Sequence, residues 1–380
     1  MRVMGQGAKR RRMVVKVGSS SITDGHGRLS IEKMQRLVNQ LILLRQSRDC
    51  QVILVSSGAI AAGLGRLGWD RATITLPEKQ AAAAVGQTLL METYDQLFGD
   101  RGIVTGQVLL TRLDIEDRKR FVHIRNTVLT LLHGGIVPVV NENDTVAVDE
   151  IRFGDNDTLG ALTALVSEAD CLVLLTDIDG LYTGDPKADA NATRLAEIWE
   201  ITGEIEALAG GAGSAVGTGG MRTKISAAKT AVQSGIDVVI ASSEEPDVLL
   251  RIADGEPVGT LFHARPAPLA HRKSWLVHGP HASGVLQMDD GAVQALVAGT
   301  GSLLLPGIVR VEGDFHEGSP VALADVTGRV IGKGITNFSA RDLDMLMDRR
   351  NRGERLENLT EVVHRNNLVV MEGAHAYGGV

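Results

Sequence analysis

The feature that most constrains this 380-residue chain is an alternation running through its first two thirds. Short β-branched runs alternate with longer Ala/Leu-rich amphipathic stretches. Met13 to Val17, Gln51 to Val55, Ile136 to Val140, Cys171 to Thr176 and Ile236 to Ala241 read as strands. Ile31 to Gln46, Gly58 to Leu64, Pro77 to Phe98, Arg118 to His133, Thr158 to Glu168 and Met221 to Ser234 read as helices. Near-continuous apolar strands are buried on both faces, so each face needs a helical cover. The fold class that follows is α/β, a three-layer αβα sandwich with a largely parallel sheet.

In such sheets ligands bind beyond the carboxyl ends of the strands. Four strand ends carry polar or glycine-rich segments there. Lys16 sits inside the first apolar strand, ahead of Gly18, Ser19, Ser20 and Ser21. A lysine in that setting either meets an anion or snorkels from an edge strand. Ser56-Ser57-Gly58 joins a strand to a helix, as an anion site at the helix N-terminus or as a simple cap. NENDTVA (Asn141 to Ala147) and GDNDTLGAL (Gly154 to Leu162) bring Asp144, Asp155, Asn156 and Asp157 close together in sequence. Carboxylates and amides together suit a small zwitterion, while Asp155 or Asp157 could instead cap the next helix. The fourth segment, Gly217 to Lys229, feeds a glycine loop into a helix with Lys224 in its first turn, a pattern that suits phosphate. No His or Cys completes a metal ligand set nearby and the EF-hand spacing is absent, so no dedicated metal site is expected.

The formal charge of −7 gives no global attraction to nucleic acid or anionic membrane. Two distant cysteines, Cys50 and Cys171, read as buried thiols of a reducing compartment. Lys9 to Arg12 precede an apolar run too short for a signal peptide, so the expected location is cytoplasmic, with no membrane segment. Beyond about Ser283, short glycine-punctuated strands predict a small, mostly-β domain. The expected organisation is a basic leader at 1–12, the α/β domain at 13–264, a linker at 265–282, the β domain at 283–364 and a tail at 365–380.

Six motifs, VVKVGSS, VSSGAIAAG, VPVVNENDTVA, FGDNDTLGALTA, LLTDIDGLYTGDP and GTGGMRTKISAA, occur in one register between about Met13 and His263. Together they closely resemble the glutamate 5-kinases of the amino acid kinase superfamily, and the C-terminal part resembles a PUA domain. The resemblance implies that Lys16 and Lys224 bind ATP phosphates and stabilise the transferring group, with Asp157 orienting both lysines. It implies that Ser57, Asp144 and Asn156 hold L-glutamate. Thr176, Asp177 and the loop Thr218, Gly219, Gly220, Met221, Arg222, Thr223 and Lys224 would meet the nucleotide. It further implies Mg²⁺ with ATP, a γ-glutamyl phosphate product as the first step of proline biosynthesis, inhibition by proline at a site overlapping the glutamate pocket, and a homo-oligomer, dimer or tetramer. Lys187 stands where the family often has Arg, and the leader is longer than in many members.

Two other readings compete. A different small-molecule kinase of the superfamily, such as an acetylglutamate kinase, aspartokinase or nucleotide kinase, shares the phosphate machinery. An N-acetylated substrate would leave Asp144 no ammonium to bind. The PUA-like part also raises RNA binding. Gly284 to Glu361 carries 8 Lys/Arg against 12 Asp/Glu, which argues against a basic face, although Arg349, Arg350, Arg352 and Arg355 cluster and keep weak RNA binding open.

Overall fold

The computed structural model describes residues 11–24, 27–70, 72–147, 156–186, 189, 191–209, 220–265, 276, 281–299, 301–354 and 361–371. The chain divides into two compact units, residues 1–268 and 269–380.

The first unit is built on an eight-stranded sheet in the order β3-β4-β2-β1-β5-β7-β8-β6. Its strands are β1 (Arg11–Val17), β2 (Cys50–Ser56), β3 (Thr105–Leu110), β4 (Val137–Glu142), β5 (Cys171–Thr176), β6 (Glu197–Ile198), β7 (Asp237–Ser242) and β8 (Thr260–Phe262). β1 to β5 and β7 pair in parallel, as do β6 and β8, and among the described strands of this sheet the β7–β8 pair alone is antiparallel. The pleat turns Met13, Val15 and Val17 of β1 to one face. There they join a core with α1 (Ile31–Ser47), α3 (Leu76–Gly99) and α9 (Val248–Asp254). Val14 and Lys16 turn to the opposite face, toward α6 (Asn156–Val166), every described residue of which from Leu159 to Val166 is buried. Helix α8 (Met221–Gln233) packs against α6 on that side. Each fully buried Val or Leu contributes about 1.5–3 kcal/mol, so sheet position is set by these faces and not by the loops.

Short elements with weak patterns, β3, β6, β8, α7 (Gly203–Leu208) and α9, add to those read from the sequence. The expected solvated leader is corrected at its end: Arg11 and Arg12 belong to β1. Arg12 is buried because its polar groups are met. Its guanidinium donates to Gln51 Oε1 and to the Ser167 carbonyl, and its backbone N–H donates to Asp170 Oδ2. Both cysteines are buried and free, and burial pushes the Cys50 thiol up to about 11 and the Cys171 thiol to about 12.

One close crossing positions the loop after β2. Helices α2 (Ala59–Leu67) and α3 meet through glycines: a Cβ on Gly86 would lie 1.7 Å from the Ala59 carbonyl oxygen, and one on Gly63 would lie 1.8 Å from that of Ala82. Gly86→Ala is therefore expected to destabilise the protein by about 1–3 kcal/mol through overpacking. Gly99→Ala, at the end of the same helix, meets nothing within 4 Å and is expected to be neutral or slightly stabilising. Denaturant unfolding of the two variants checks this, and equal stabilities would contradict the crossing.

The second unit is a five-stranded sheet in the order β10-β9-β11-β12-β13. Its strands are β9 (Gly284–Met288), β10 (Ile308–Gly313), β11 (Pro320–Ala324), β12 (Val330–Thr336) and β13 (Val363–Val370). Its core combines Leu286, Met288, Val321, Leu323, Ile331 and Val363 with residues of two helices. Two sequence expectations change here. Asp290–Val297 is a helix, because Asp289 caps it by accepting from the Ala292 N–H at 2.7 Å. The tail expected from Arg365 is corrected at its start, where the chain continues as β13 to Val370, paired with β12. The expected linker falls largely outside the described residues. No helix of the described residues is long and apolar enough to cross a membrane.

Candidate active site

Sequence-adjacent strands lie on either side of β1: β2 follows on one side, while β5 takes the other and leads to β7. The crevice at such a reversal, beyond the carboxyl ends of the strands, is the natural ligand site of an open α/β sheet.

Lys16 is the next-to-last residue of β1, on an interior strand, so the edge-strand reading falls away. Gly160 lets α6 come close, since a Cβ there would sit 3.2 Å from Lys16 Cβ. That approach sets Asp157, in the first turn of α6, against the lysine: Lys16 Nζ lies 2.6 Å from Asp157 Oδ1. Lys224, in the first turn of α8, reaches Asp157 Oδ2 at 3.1 Å. The Thr223 hydroxyl lies 2.9 Å from the same oxygen and 2.8 Å from the Gly220 carbonyl. Asp157 is fully buried, and Lys16 and Lys224 are only 6% and 4% exposed. Burial works to raise the Asp157 carboxyl, but attraction and hydrogen bonds from the two ammonium groups outweigh it and hold the group below the usual carboxylate range. The carboxylate is thus spent on the lysines and does not cap its helix. The trio carries two positive charges and one negative, a setting for an anion.

Beside this clamp lies a polar cradle. Asn156, one residue before Asp157, brings its Nδ2 to 2.8 Å from Ser57 Oγ and 3.1 Å from both the Ser56 carbonyl and Asn141 Oδ1. Ser57 does not cap α2, whose N-cap is Gly58 at φ +97° with no side-chain bond. Only glycine takes that turn freely. Ser56 itself is tied down by Tyr94, its Oγ 2.9 Å from the phenol oxygen. Asp144 is half-buried on the turn after β4, three residues beyond Asn141.

The remaining candidates distribute as follows. Thr176 ends β5, buried, and its hydroxyl donates to Asp177 Oδ1 at 3.0 Å. Gly220 is the N-cap of α8, Met221 opens the helix, and Arg222 is exposed on its first turn. Asp155, Lys187, Thr218 and Gly219 lie outside the described residues. Asn141 and Gln87 were missed as site residues. Asn141 had a signal, since it opens the NEND segment whose aspartate drew the attention. Gln87 had only its polarity within an Ala/Leu-rich helix.

Residues 11–242 match the model of the amino acid kinase family, and residues 284–355 match that of the PUA domain. The chain is 48% identical to the glutamate 5-kinase of Moorella thermoacetica over 95% of its length and 96% of that protein's. It is 49% identical to the glutamate 5-kinase of Carboxydothermus hydrogenoformans, over 95% and 98% respectively. The chain belongs to the glutamate 5-kinases of the amino acid kinase family. Among solved structures it is similar to the UMP kinase of Bacillus anthracis, with a TM-score of 0.48 and 16% identity over 69% of this chain and 99% of that one. In this kinase Asn156 and Asp157 are consecutive residues in the first turn of α6, so the amide that meets Ser57 and the carboxylate that meets Lys16 and Lys224 lie side by side.

Proposed function

We propose that the chain transfers the γ-phosphoryl group of ATP to the side-chain carboxylate of L-glutamate, giving γ-glutamyl phosphate as the first step of proline biosynthesis. The observation that carries the reading is the adjacency of Asn156 and Asp157. It sets a cradle of amide and hydroxyl groups for a small zwitterion directly beside a two-lysine phosphate clamp. The glutamate carboxyl is already ionised at neutral pH, so no general base is needed. The chemical task is to relieve repulsion between that carboxylate and the ATP phosphates. Lys16 and Lys224 would supply that relief, with the N-terminus of α8 contributing partial positive charge. Asp157 would keep the two ammonium groups apart and aimed at one point. Ser57, Asp144 and Asn156 would hold glutamate, and Thr176, Asp177 and the segment Thr218 to Lys224 would hold the nucleotide.

Mg²⁺ belongs with the nucleotide in this reading. Both Asp157 oxygens face ammonium groups. The ion would ride on the ATP phosphates, where it neutralises charge. The same proposal includes a cytoplasmic homo-oligomer, dimer or tetramer, and proline as a feedback inhibitor in the glutamate cradle.

The test is ADP release with glutamate, N-acetylglutamate, aspartate and UMP side by side, with and without proline. Glutamate is expected to exceed each alternative by at least about a hundredfold in kcat/KM, since a missing or blocked polar group leaves site groups unpaired. Proline is expected to raise the glutamate KM. Preference for any other acceptor would overturn the assignment.

A further inference from the structure

An amide chain runs inward from the cradle. Asn156 Nδ2 donates to Asn141 Oδ1 at 3.1 Å, and Asn141 Nδ2 donates to Gln87 Oε1 at 2.8 Å. Side-chain amides can be turned over, so their sense is set by whatever fixed group they meet. Here the fixed group is the backbone N–H of Glu142, which donates to Asn141 Oδ1 at 2.9 Å. A peptide N–H cannot accept. Asn141 must therefore keep its oxygen toward Glu142 and turn its Nδ2 to Gln87, which must answer with an oxygen. Asn156 must answer the Asn141 oxygen with its own Nδ2. The consequence falls at the far end of the same side chain: Asn156 Oδ1 is buried and, among the described residues, accepts no hydrogen bond. A buried acceptor left unmet is costly, and such groups mark places where a ligand completes the bonding.

We propose that Gln87 is a positioning residue for substrate specificity: by accepting from the Asn141 Nδ2 that the Glu142 N–H turns toward it, it anchors the Asn141 amide in place, so that Asn156 Oδ1 is offered to the α-ammonium of the substrate. This rests on the reading of the cradle as the glutamate site and adds how that site recognises a free amino group. Gln87 acts at a distance, through Asn141. Its place is fixed by its neighbour Gly86, which lets α3 close on the first turn of α2, next to Ser57. Among the described residues its own Nε2 has no partner, so of its side-chain polar atoms the oxygen holds it there. Asn141 is 1% exposed and Gln87 9%, so water offers Asn141 Nδ2 little substitute.

The experiment compares kcat/KM for glutamate and for glutarate, which has both carboxylates and no ammonium, in the full-length wild type, Gln87→Met and Gln87→Glu. Gln87→Met fills similar space with no acceptor. It is expected to raise the glutamate KM about tenfold with kcat within about twofold, and to leave glutarate unchanged, so the preference for glutamate falls about tenfold. Gln87→Glu keeps an oxygen for Asn141 and is expected to restore the wild-type preference. An unchanged preference in Gln87→Met overturns the proposal, as does a Gln87→Glu variant that behaves like Gln87→Met. If Gln87→Met fails to fold, Gln87→Glu decides alone: wild-type preference supports the chain, and a tenfold loss overturns it. A wild type that does not phosphorylate glutamate at all would instead overturn the functional reading itself.

Discussion

Lys224→Ala and Lys16→Ala are each expected to lower kcat by about a thousandfold, while the glutamate KM changes by less than about threefold. A thousandfold is about 4 kcal/mol of transition-state stabilisation, the scale of one well-placed charge in a water-poor site. Both ammonium groups converge on one carboxylate and are more than nine-tenths buried, so each acts where charge interactions are weakly screened. Neither touches the Asn156 cradle in the way Ser57 does, which separates the effect on turnover from the effect on glutamate affinity. Arginine is not expected to rescue Lys16, because the side chain is buried against α6 with its ammonium on Asp157 and a guanidinium is broad and planar. Removing one lysine still leaves Asp157 paired with the other, so the fold should persist. Steady-state kinetics with thermal unfolding on the same samples checks the claim. Near-normal turnover in both variants would remove the clamp from the mechanism.

Legibility in the sequence followed the strength of the local physics. β1, β2, β4, β5 and β7 were readable because a central strand of a parallel sheet must be apolar along its whole length. Lys16 stood out for the same reason, as a charge where none belongs. From the residues alone Asp157 was readable only as one of several carboxylates, since its partner lysines come from segments far away in the chain, and its role toward them came from the family resemblance. β6 and β8 could not be read, being two and three residues long and held by neighbours distant in sequence. The helix Asp290–Val297 was not read because a short apolar run among glycine-punctuated strands is ambiguous until its cap, Asp289, is known. Gln87 was invisible for a more general reason. Its significance lies in which way an amide faces, and that depends on a backbone N–H in β4 some distance along the chain.

Asp157→Asn is expected to be the most damaging isosteric change, costing about 3–5 kcal/mol of stability because it leaves buried charge without its counter-charge. The amide can accept from one ammonium group but must turn its own N–H₂ toward the other. Wild-type Asp157 has its pKa held below the ordinary carboxylate range, by the two lysines acting against burial. Its contribution is therefore fully present above the unfolded aspartate value, near 4, and is lost as the pH falls through the lower folded value. The stability gap between wild type and variant should accordingly be constant around neutrality and close only in acid below about pH 4. ATP should stabilise the variant more than the wild type, since phosphate oxygens supply the missing negative charge to Lys16 and Lys224. Turnover should nevertheless fall, because ammonium groups no longer held on a common carboxylate are free to settle on the ground-state phosphates and not on the charge that develops during transfer. Denaturant unfolding across pH, with and without ATP, reads all of these. A variant as stable as the wild type, or a gap that fails to close in acid, would mean that Asp157 does not carry its charge between the two lysines.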